Sequence, residues 1–68
     1  MSAINTEEIK LLREENGHSL AFVANYIGLR YKRSYANVEN GERGLSIQKI
    51  QKLSELYGVP IERIIKKG

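Results

Sequence analysis

The apolar residues of this chain recur with the spacing of α-helices along most of its length. The clearest run has apolar side chains at positions i, i+3, i+4 and i+7, namely Leu20, Val23, Ala24 and Ile27. Such a stripe is typical of an amphipathic helix that packs on a core. Ser19 in front of the run and Gly28 behind it commonly cap the two ends of a helix. No segment alternates apolar and polar side chains convincingly, so we expect no strands.

A first helix is predicted in front of this one. It begins at Asn5 or Thr6 and ends at Gly17. Asn5, with Glu8 three residues later, fits a capping box, in which each side chain accepts a hydrogen bond from the backbone N–H of the other residue. The residues predicted to share one face of this helix are Ile9, Leu12 and Asn16.

Three more helices are predicted after Gly28. The third runs from about Tyr31 to Glu39, and the composition of residues 40–44 is that of a loop. Ser46 caps a fourth helix that ends at Gly58, and a short fifth helix follows Pro60. The residues expected to face inward are Tyr31, Tyr35 and Val38 in the third helix and Ile47, Ile50, Leu53, Ser54 and Tyr57 in the fourth.

Length and composition narrow the class of protein. A chain of 68 residues fits a single domain, residues 1–68, with a core between about 6 and 65. The absence of cysteine excludes disulfides and thiolate metal sites and suits a reducing cytoplasm. With His18 as its one histidine and no nucleophile–base constellation, the chain is not expected to be an enzyme or to bind a metal or cofactor. No apolar run approaches the roughly 20 residues that cross a bilayer, so we expect no membrane association.

The placement of charge is more informative than the net charge of +3. No acidic residue lies between Glu15 and Glu39. At about 100° per residue, the third helix has Arg33, Asn37 and Asn40 opposite its apolar stripe, with Arg30 and Ala36 beside them. Arginine pairs with guanine and asparagine with adenine in the DNA major groove, while Lys32, at the edge, suits a phosphate. An ordinary solvated helix face is the alternative interpretation.

Two opposite charges lie at the edges of inward faces. Arg13 borders the apolar face of the first helix, and Glu39 borders that of the third. We expect them to form a semi-buried salt bridge that sets the register of the third helix without touching a ligand.

Two further groups of apolar residues each have two interpretations. Phe22 and Tyr26 project from the outer side of the second helix, where they either form a surface for a protein partner or pack on the chain termini or on Tyr31 and the turn. A second group, near the end of the chain, either completes the core or pairs two subunits. Its members are Leu56, Ile61, Ile64 and Ile65.

In this order and spacing, several short motifs resemble the Cro-type helix-turn-helix repressor domains, the Xre-like family. The resemblance covers about residues 9–64. The motifs are Leu12-Arg13-Glu14-Glu15-x-Gly17, Ser19 with Val23-Ala24 and Ile27-Gly28-Leu29, Val38-Glu39-Asn40-Gly41, and Ser46 with Ile50, Leu53 and Leu56-x-Gly58-Val59. The resemblance implies a compact five-helix repressor-like domain, with the helix-turn-helix at the second and third helices.

The resemblance also implies site residues and a partner, double-stranded DNA. The family's buried ion pair corresponds to Arg13 with Glu39. Base-reading positions correspond to Lys32, Arg33 and Asn37, with Ser34 nearby, and backbone phosphates are implied to contact Ser19, Asn40 and Arg43. The chain departs from the family pattern at Leu20, where a glutamine is usual, and in the turn after Gly28, which is one residue longer. Arg30 or Tyr31 in that turn could therefore reach the DNA backbone or the groove.

The function expected from the sequence is that of a DNA-binding transcriptional regulator, cytoplasmic and associated with the nucleoid. It would place its third helix in the major groove and act as a homodimer on a palindromic operator. Phage-type repressors and restriction-modification controllers are the relevant types, the latter because of the stretch Arg43-Gly44-Leu45-Ser46-Ile47. The alternative is a protein-interaction module on the same fold, such as an antitoxin or anti-regulator, that uses Phe22, Tyr26 and Leu20.

Overall fold

The computed structural model describes residues 4–66 and confirms the all-α prediction. Five helices follow one another along these residues, and their bounds are α1 Thr6–Glu15, α2 Leu20–Ile27, α3 Lys32–Glu39, α4 Ile47–Tyr57 and α5 Ile61–Ile64. Residues 1–3 and 67–68, which the predicted domain includes, lie outside the described residues.

Three of the helices begin at the cap residues that the sequence predicts. The side-chain oxygens of Asn5, Ser19 and Ser46 accept hydrogen bonds from backbone N–H groups three residues later, at 3.2, 3.0 and 3.4 Å. Gly28 ends α2 with φ +92°, a left-handed conformation that a residue with a Cβ adopts only at a cost. The turn between α2 and α3 is therefore specified locally.

The predicted capping box at α1 is half formed. Asn5 caps Glu8 as expected, but the backbone N–H of Asn5 donates to the carbonyl oxygen of Ile64 at 2.8 Å. The carboxylate of Glu8 instead pairs with Arg63. Ile4 and Ile65 form an isolated antiparallel bridge beside these contacts. The start of α1 is thus attached to α5 and not closed on itself.

The core contains predicted inward residues from every helix. Leu20, Ser54 and Tyr57 are half-buried at its edge, and three predicted inward residues are exposed. The buried residues of the core are Ile9, Leu12, Val23, Ala24, Ile27, Tyr35, Val38, Ile50, Leu53 and Ile64. Tyr31 is exposed because it precedes the first turn of α3 in an extended conformation, where helical periodicity does not apply. Ile47 is exposed because it lies about 90° around α4 from the centre of the stripe formed by Ile50 and Leu53. Asn16 is also exposed, and its amide donates to the carbonyl oxygen of Leu12 at 2.8 Å.

The group of apolar residues near the end of the chain closes the core of its own subunit. Ile64 is completely buried, so its assignment to a dimer interface is wrong: it has no free surface for a second copy. Leu56, Ile61 and Ile65 are half-buried and pack against the same core.

The most extensive contact between helices is that of α2 with α3. α2 also contacts α4, α4 contacts α5, and α1 contacts α3 and α5. This arrangement leaves the outer face of α3 and one side of α2 uncovered by the described residues.

Candidate nucleic-acid interface

The outer face of α3 is polar and basic. Lys32 and Arg33 are exposed, and Asn37 is half-buried on the same helix. Tyr35 and Val38, which are completely buried, hold the opposite side of α3 against the core. Because Glu39 is the one acid in α3 and turns inward to Arg13, the outer face presents guanidinium, ammonium and amide groups without a competing carboxylate from its own helix.

A bidentate ion pair attaches the end of α3 to α1. Arg13 Nε lies 2.7 Å from Glu39 Oε2, and Arg13 Nη2 lies 3.1 Å from Glu39 Oε1. The third contact of the guanidinium is with the carbonyl oxygen of His18, at 3.1 Å. The two side chains are only 14% and 6% exposed, and the hydrogen bond to Glu39 raises the pKa of Arg13. A guanidinium that makes two hydrogen bonds to one carboxylate fixes the relative orientation of the two side chains as well as the distance between them.

Two tyrosine hydroxyls lie in the same buried region. Within the described residues, the hydroxyls of Tyr35 and Tyr57 are buried and form no hydrogen bond. Burial, followed by the negative charge of Glu39, raises the pKa of both phenols, that of Tyr57 to about 12. The ion pair and the two rings therefore share a poorly hydrated environment that links α1, α3 and α4.

The turn between α2 and α3 presents two side chains to solvent. Leu29 is half-buried, and its N–H donates to the carbonyl oxygen of Ala24 at 2.8 Å. Arg30 and Tyr31 are exposed, Tyr31 at 64%. No side chain caps α3, since Tyr31 occupies the N-cap position without a side-chain hydrogen bond.

The other residues suggested as phosphate contacts occupy loops and helix ends. Ser19, Asn40 and Arg43 are exposed, and Ser34 is half-buried in the first turn of α3. The loop that carries Arg43 is joined to α3 by a hydrogen bond of 2.8 Å from the N–H of Glu42 to the carbonyl oxygen of Asn37. Contacts of these residues with DNA stay predictions.

A second surface lies on the solvent-exposed outer side of α2. The rings of His18, Phe22 and Tyr26 follow one another at centroid distances of 4.5 and 6.2 Å, and Lys52 Nζ lies 5.8 Å from the centre of the Tyr26 ring. We call these four residues the aromatic row. Among the described residues, Phe22 packs on His18 and Tyr26 on Lys52, and no ring contact with Tyr31 is found there; the suggested packing on the chain termini concerns residues that lie outside the described ones. The spacing of four residues between the three rings was the available sequence signal.

Two classes of site find no support in residues 4–66. No group of three or more histidine, aspartate or glutamate side chains there is arranged to hold a metal ion. None of the helices in this part of the chain has the length and apolar character needed to cross a bilayer.

Comparisons with known proteins agree with the geometry of α2 and α3. Residues 9–64 match the model of a family described as helix-turn-helix. The chain is 34% identical over 58 residues to a protein of Thermococcus gammatolerans that bears the provisional name of an HTH-type transcriptional regulatory protein. The match spans 85% of this chain but only 18% of that relative, and no solved structure matches. The chain therefore belongs to the helix-turn-helix family of Cro- and Xre-like DNA-binding domains.

Proposed function

We propose that this chain is a sequence-specific transcriptional regulator that inserts α3 into the major groove of DNA. The observation that carries the proposal is the outer face of α3, where Arg33 and Asn37 project from a helix whose other side is completely buried. Arginine can pair with O6 and N7 of guanine, and asparagine can pair with N6 and N7 of adenine. The name of the Thermococcus gammatolerans relative supports a regulatory role.

The structure supports the positioning of α3 in two ways. Tyr35 and Val38 of its inward stripe are completely buried, and the bidentate contact between Arg13 and Glu39 opposes rotation of the helix about its axis. A reading helix needs this rigidity because a bidentate base contact depends on both distance and angle.

Phosphate contacts would set the register of the protein on the duplex. We propose that Lys32 contacts a base or the phosphate at the edge of the groove, and that Arg30 and Tyr31 contact the adjacent DNA backbone. The uncapped start of α3 suits an anion because its first backbone N–H groups lack a side-chain partner. Further contacts are proposed for Ser19, Ser34, Asn40 and Arg43.

We also propose that the protein binds as a homodimer to a palindromic operator. Leu56, Ile61 and Ile65 remain the candidates for the subunit contact, since each is only half-buried in its own chain. Two copies of α3 related by a two-fold axis would read half-sites about 10–10.5 base pairs apart. Sedimentation of the protein alone and with the selected duplex measures the oligomeric state in each condition.

Selection from a random duplex library followed by sequencing tests the regulator hypothesis. We expect one preferred site with inverted half-sites. Arg33→Ala or Asn37→Ala should relax the preference at one base position in each half-site, at a cost of roughly 1–3 kcal/mol against the preferred base. Lys32→Ala should weaken binding to all DNA sequences more evenly if the main contact of Lys32 is with a phosphate.

Lys10→Ala is the matched control for these variants, because Lys10 is an exposed cation on α1 and does not belong to the proposed reading helix. It should leave the preferred site unchanged. A library that emerges from selection at moderate salt with no sequence preference would overturn the proposal.

A further inference from the structure

The composition of α2 does not match its exposure. This helix contains no charged side chain, whereas the outer face of a surface helix usually carries charged and polar residues. Nevertheless Ala21, Phe22, Asn25 and Tyr26 are exposed, with Phe22 at 45% and Tyr26 at 39%. The outer side of α2 is thus uncharged, whereas the outer sides of α1 and α4 carry several charges.

The exposed rings form one continuous surface. Phe22 lies between the other two rings, which are tilted to it by 32° and 35°. The His18 ring also lies 6.1 Å from that of half-buried Tyr57, so the row continues into the packed interior at one edge. These distances are within the range of favourable aromatic contacts, and they hold the rings in a defined arrangement.

The charge beside the row is positive. Lys52 lies over the Tyr26 ring, and Lys49 precedes it by three residues on α4. Relative to buried Leu53, helical geometry places Lys49 at about 40°, Lys52 at about 100° and Glu55 at about 160° in the same direction around α4. Glu55 therefore faces away from the core, while Lys52 borders α2 through its contact with the Tyr26 ring. The acids nearest to His18 in sequence, Glu14 and Glu15, belong to α1 and precede the turn at Gly17.

We infer that the aromatic row is a docking surface for a protein segment that carries a large apolar side chain next to one or more carboxylates. The apolar side chain would cover Phe22 and Tyr26, and a carboxylate would pair with Lys52, which already lies at the edge of the rings. Aromatic side chains in such positions are the residues that most often dominate binding energy at protein interfaces.

A protein fits this surface better than a nucleic acid does. The row contains one lysine, Lys52, and no arginine, whereas surfaces for single strands combine stacking rings with a line of positive charge. The row borders α4, and the proposed DNA-reading groups lie on α3. The inference does not rest on the proposed function, although Ser19, one of the proposed phosphate contacts, adjoins His18 and Phe22 at one end of the row.

Selection from a displayed library of short random peptides, with the full chain as bait, tests this inference. We expect the enriched peptides to share an aromatic or large aliphatic residue flanked by aspartate or glutamate. One such peptide, synthesised with a fluorophore, should lose affinity by about tenfold or more on Phe22→Ala. Lys52→Glu should weaken the same peptide, and replacing the peptide's carboxylates by amides should reduce the effect of Lys52→Glu.

Matched variants separate docking from general effects. Leu11→Ala removes an equally exposed apolar side chain from α1, and Lys10→Glu reverses an exposed charge there. Both should leave peptide affinity unchanged. Phe22→Ala should keep the helical circular dichroism of the parent protein, since its ring is outside the buried core.

Four results would overturn the inference. They are an absence of enrichment, enrichment of peptides without carboxylates, peptide binding that survives Phe22→Ala, and a Phe22-dependent association with a second copy or with a single-stranded oligonucleotide in place of the peptide. DNA binding that is lost on Lys32→Ala while peptide binding is retained would support two separate surfaces.

Discussion

The two helices of the helix-turn-helix have equal length but obtain their positions differently. α2 is delimited by its own residues, because Ser19 caps its start and Gly28 ends it in a left-handed conformation. α3 begins at Tyr31 without a side-chain cap and is attached through Glu39 to Arg13, 26 residues earlier in the chain. The helix proposed to read DNA is thus the one that depends more on distant partners.

This difference separates local from tertiary control of a binding surface. A helix with good caps forms its ends wherever the chain places it. α3 receives its orientation from the buried Tyr35 and Val38 and from the ion pair, so a change in α1 can alter the angle at which α3 is presented. Three changes test how far the two helices differ.

The largest effect is expected from Glu39→Ala, which removes the anchor of α3. It leaves the guanidinium of Arg13 almost buried without its counter-charge, and loss of one partner of a buried pair costs roughly 3–5 kcal/mol. The free energy of unfolding in urea should fall by that order, with a lower melting temperature.

Arg63→Ala is the matched control for this prediction. It breaks the contact with Glu8, in which the arginine is half-exposed, and exposed pairs contribute no more than about 1 kcal/mol. If the two variants had equal stability, α3 would not depend on its ion pair, and the contrast between the helices would fail.

A smaller effect is expected from Ser19→Ala, which removes the cap of α2. The lost hydrogen bond to the N–H of Phe22 should reduce the free energy of unfolding by about 1 kcal/mol. Tyr31→Ala changes the equivalent position of α3, where there is no side-chain cap to lose. It should change the free energy of unfolding by no more than about 0.5 kcal/mol. A larger loss at Tyr31 than at Ser19, measured by urea unfolding, would reverse the comparison.

The smallest effect on stability is expected from the phenols beside the ion pair, because it appears only at alkaline pH. Folding raises the pKa of Tyr57 from 10.0 to about 12, and that of Tyr35 also rises. Above about pH 10 the unfolded chain therefore binds fewer protons than the folded one, so stability falls as pH increases towards 12. Tyr57→Phe should make this decline shallower in urea unfolding between about pH 9 and about pH 11.

Tyr31→Phe, which changes an exposed ring, is the control for the alkaline experiment. It should leave the decline as steep as in the parent protein. The buried environment proposed for α3 and its partners would be contradicted if Tyr57→Phe and Tyr31→Phe gave the same pH dependence.

Much of the fold could be predicted because its signals are local. The apolar periodicity of α2, the caps at Asn5, Ser19 and Ser46, and the stop at Gly28 all act within a few residues, and all appear in the structure. The predictions that were wrong concern helix ends. Tyr31 and Ile47 adjoin the first turn of a helix, where periodicity alone does not determine whether a side chain faces inward.

The candidate functional surfaces also include one that could be predicted from the sequence and one that could not. The types and spacing of Arg33 and Asn37 were readable from the sequence, because a helix presents residues four apart on one face. The row of His18, Phe22 and Tyr26 was not recognised, because His18 lies before α2 and Lys52 comes from a distant helix. Contacts between groups so far apart in sequence depend on how the helices pack.

By itself, the sequence determined that residues 4–66 form five helices, where α2 begins and ends, and which polar groups lie on the outer face of α3. These properties follow from backbone sterics, capping and helical periodicity, which act within about one turn. Only the tertiary structure decided that Glu8 turns to Arg63, that Ile64 closes the core, and that the uncharged α2 leaves its rings exposed. Those outcomes depend on which elements compete to cover the same surface, and that competition is resolved only when all the helices pack together.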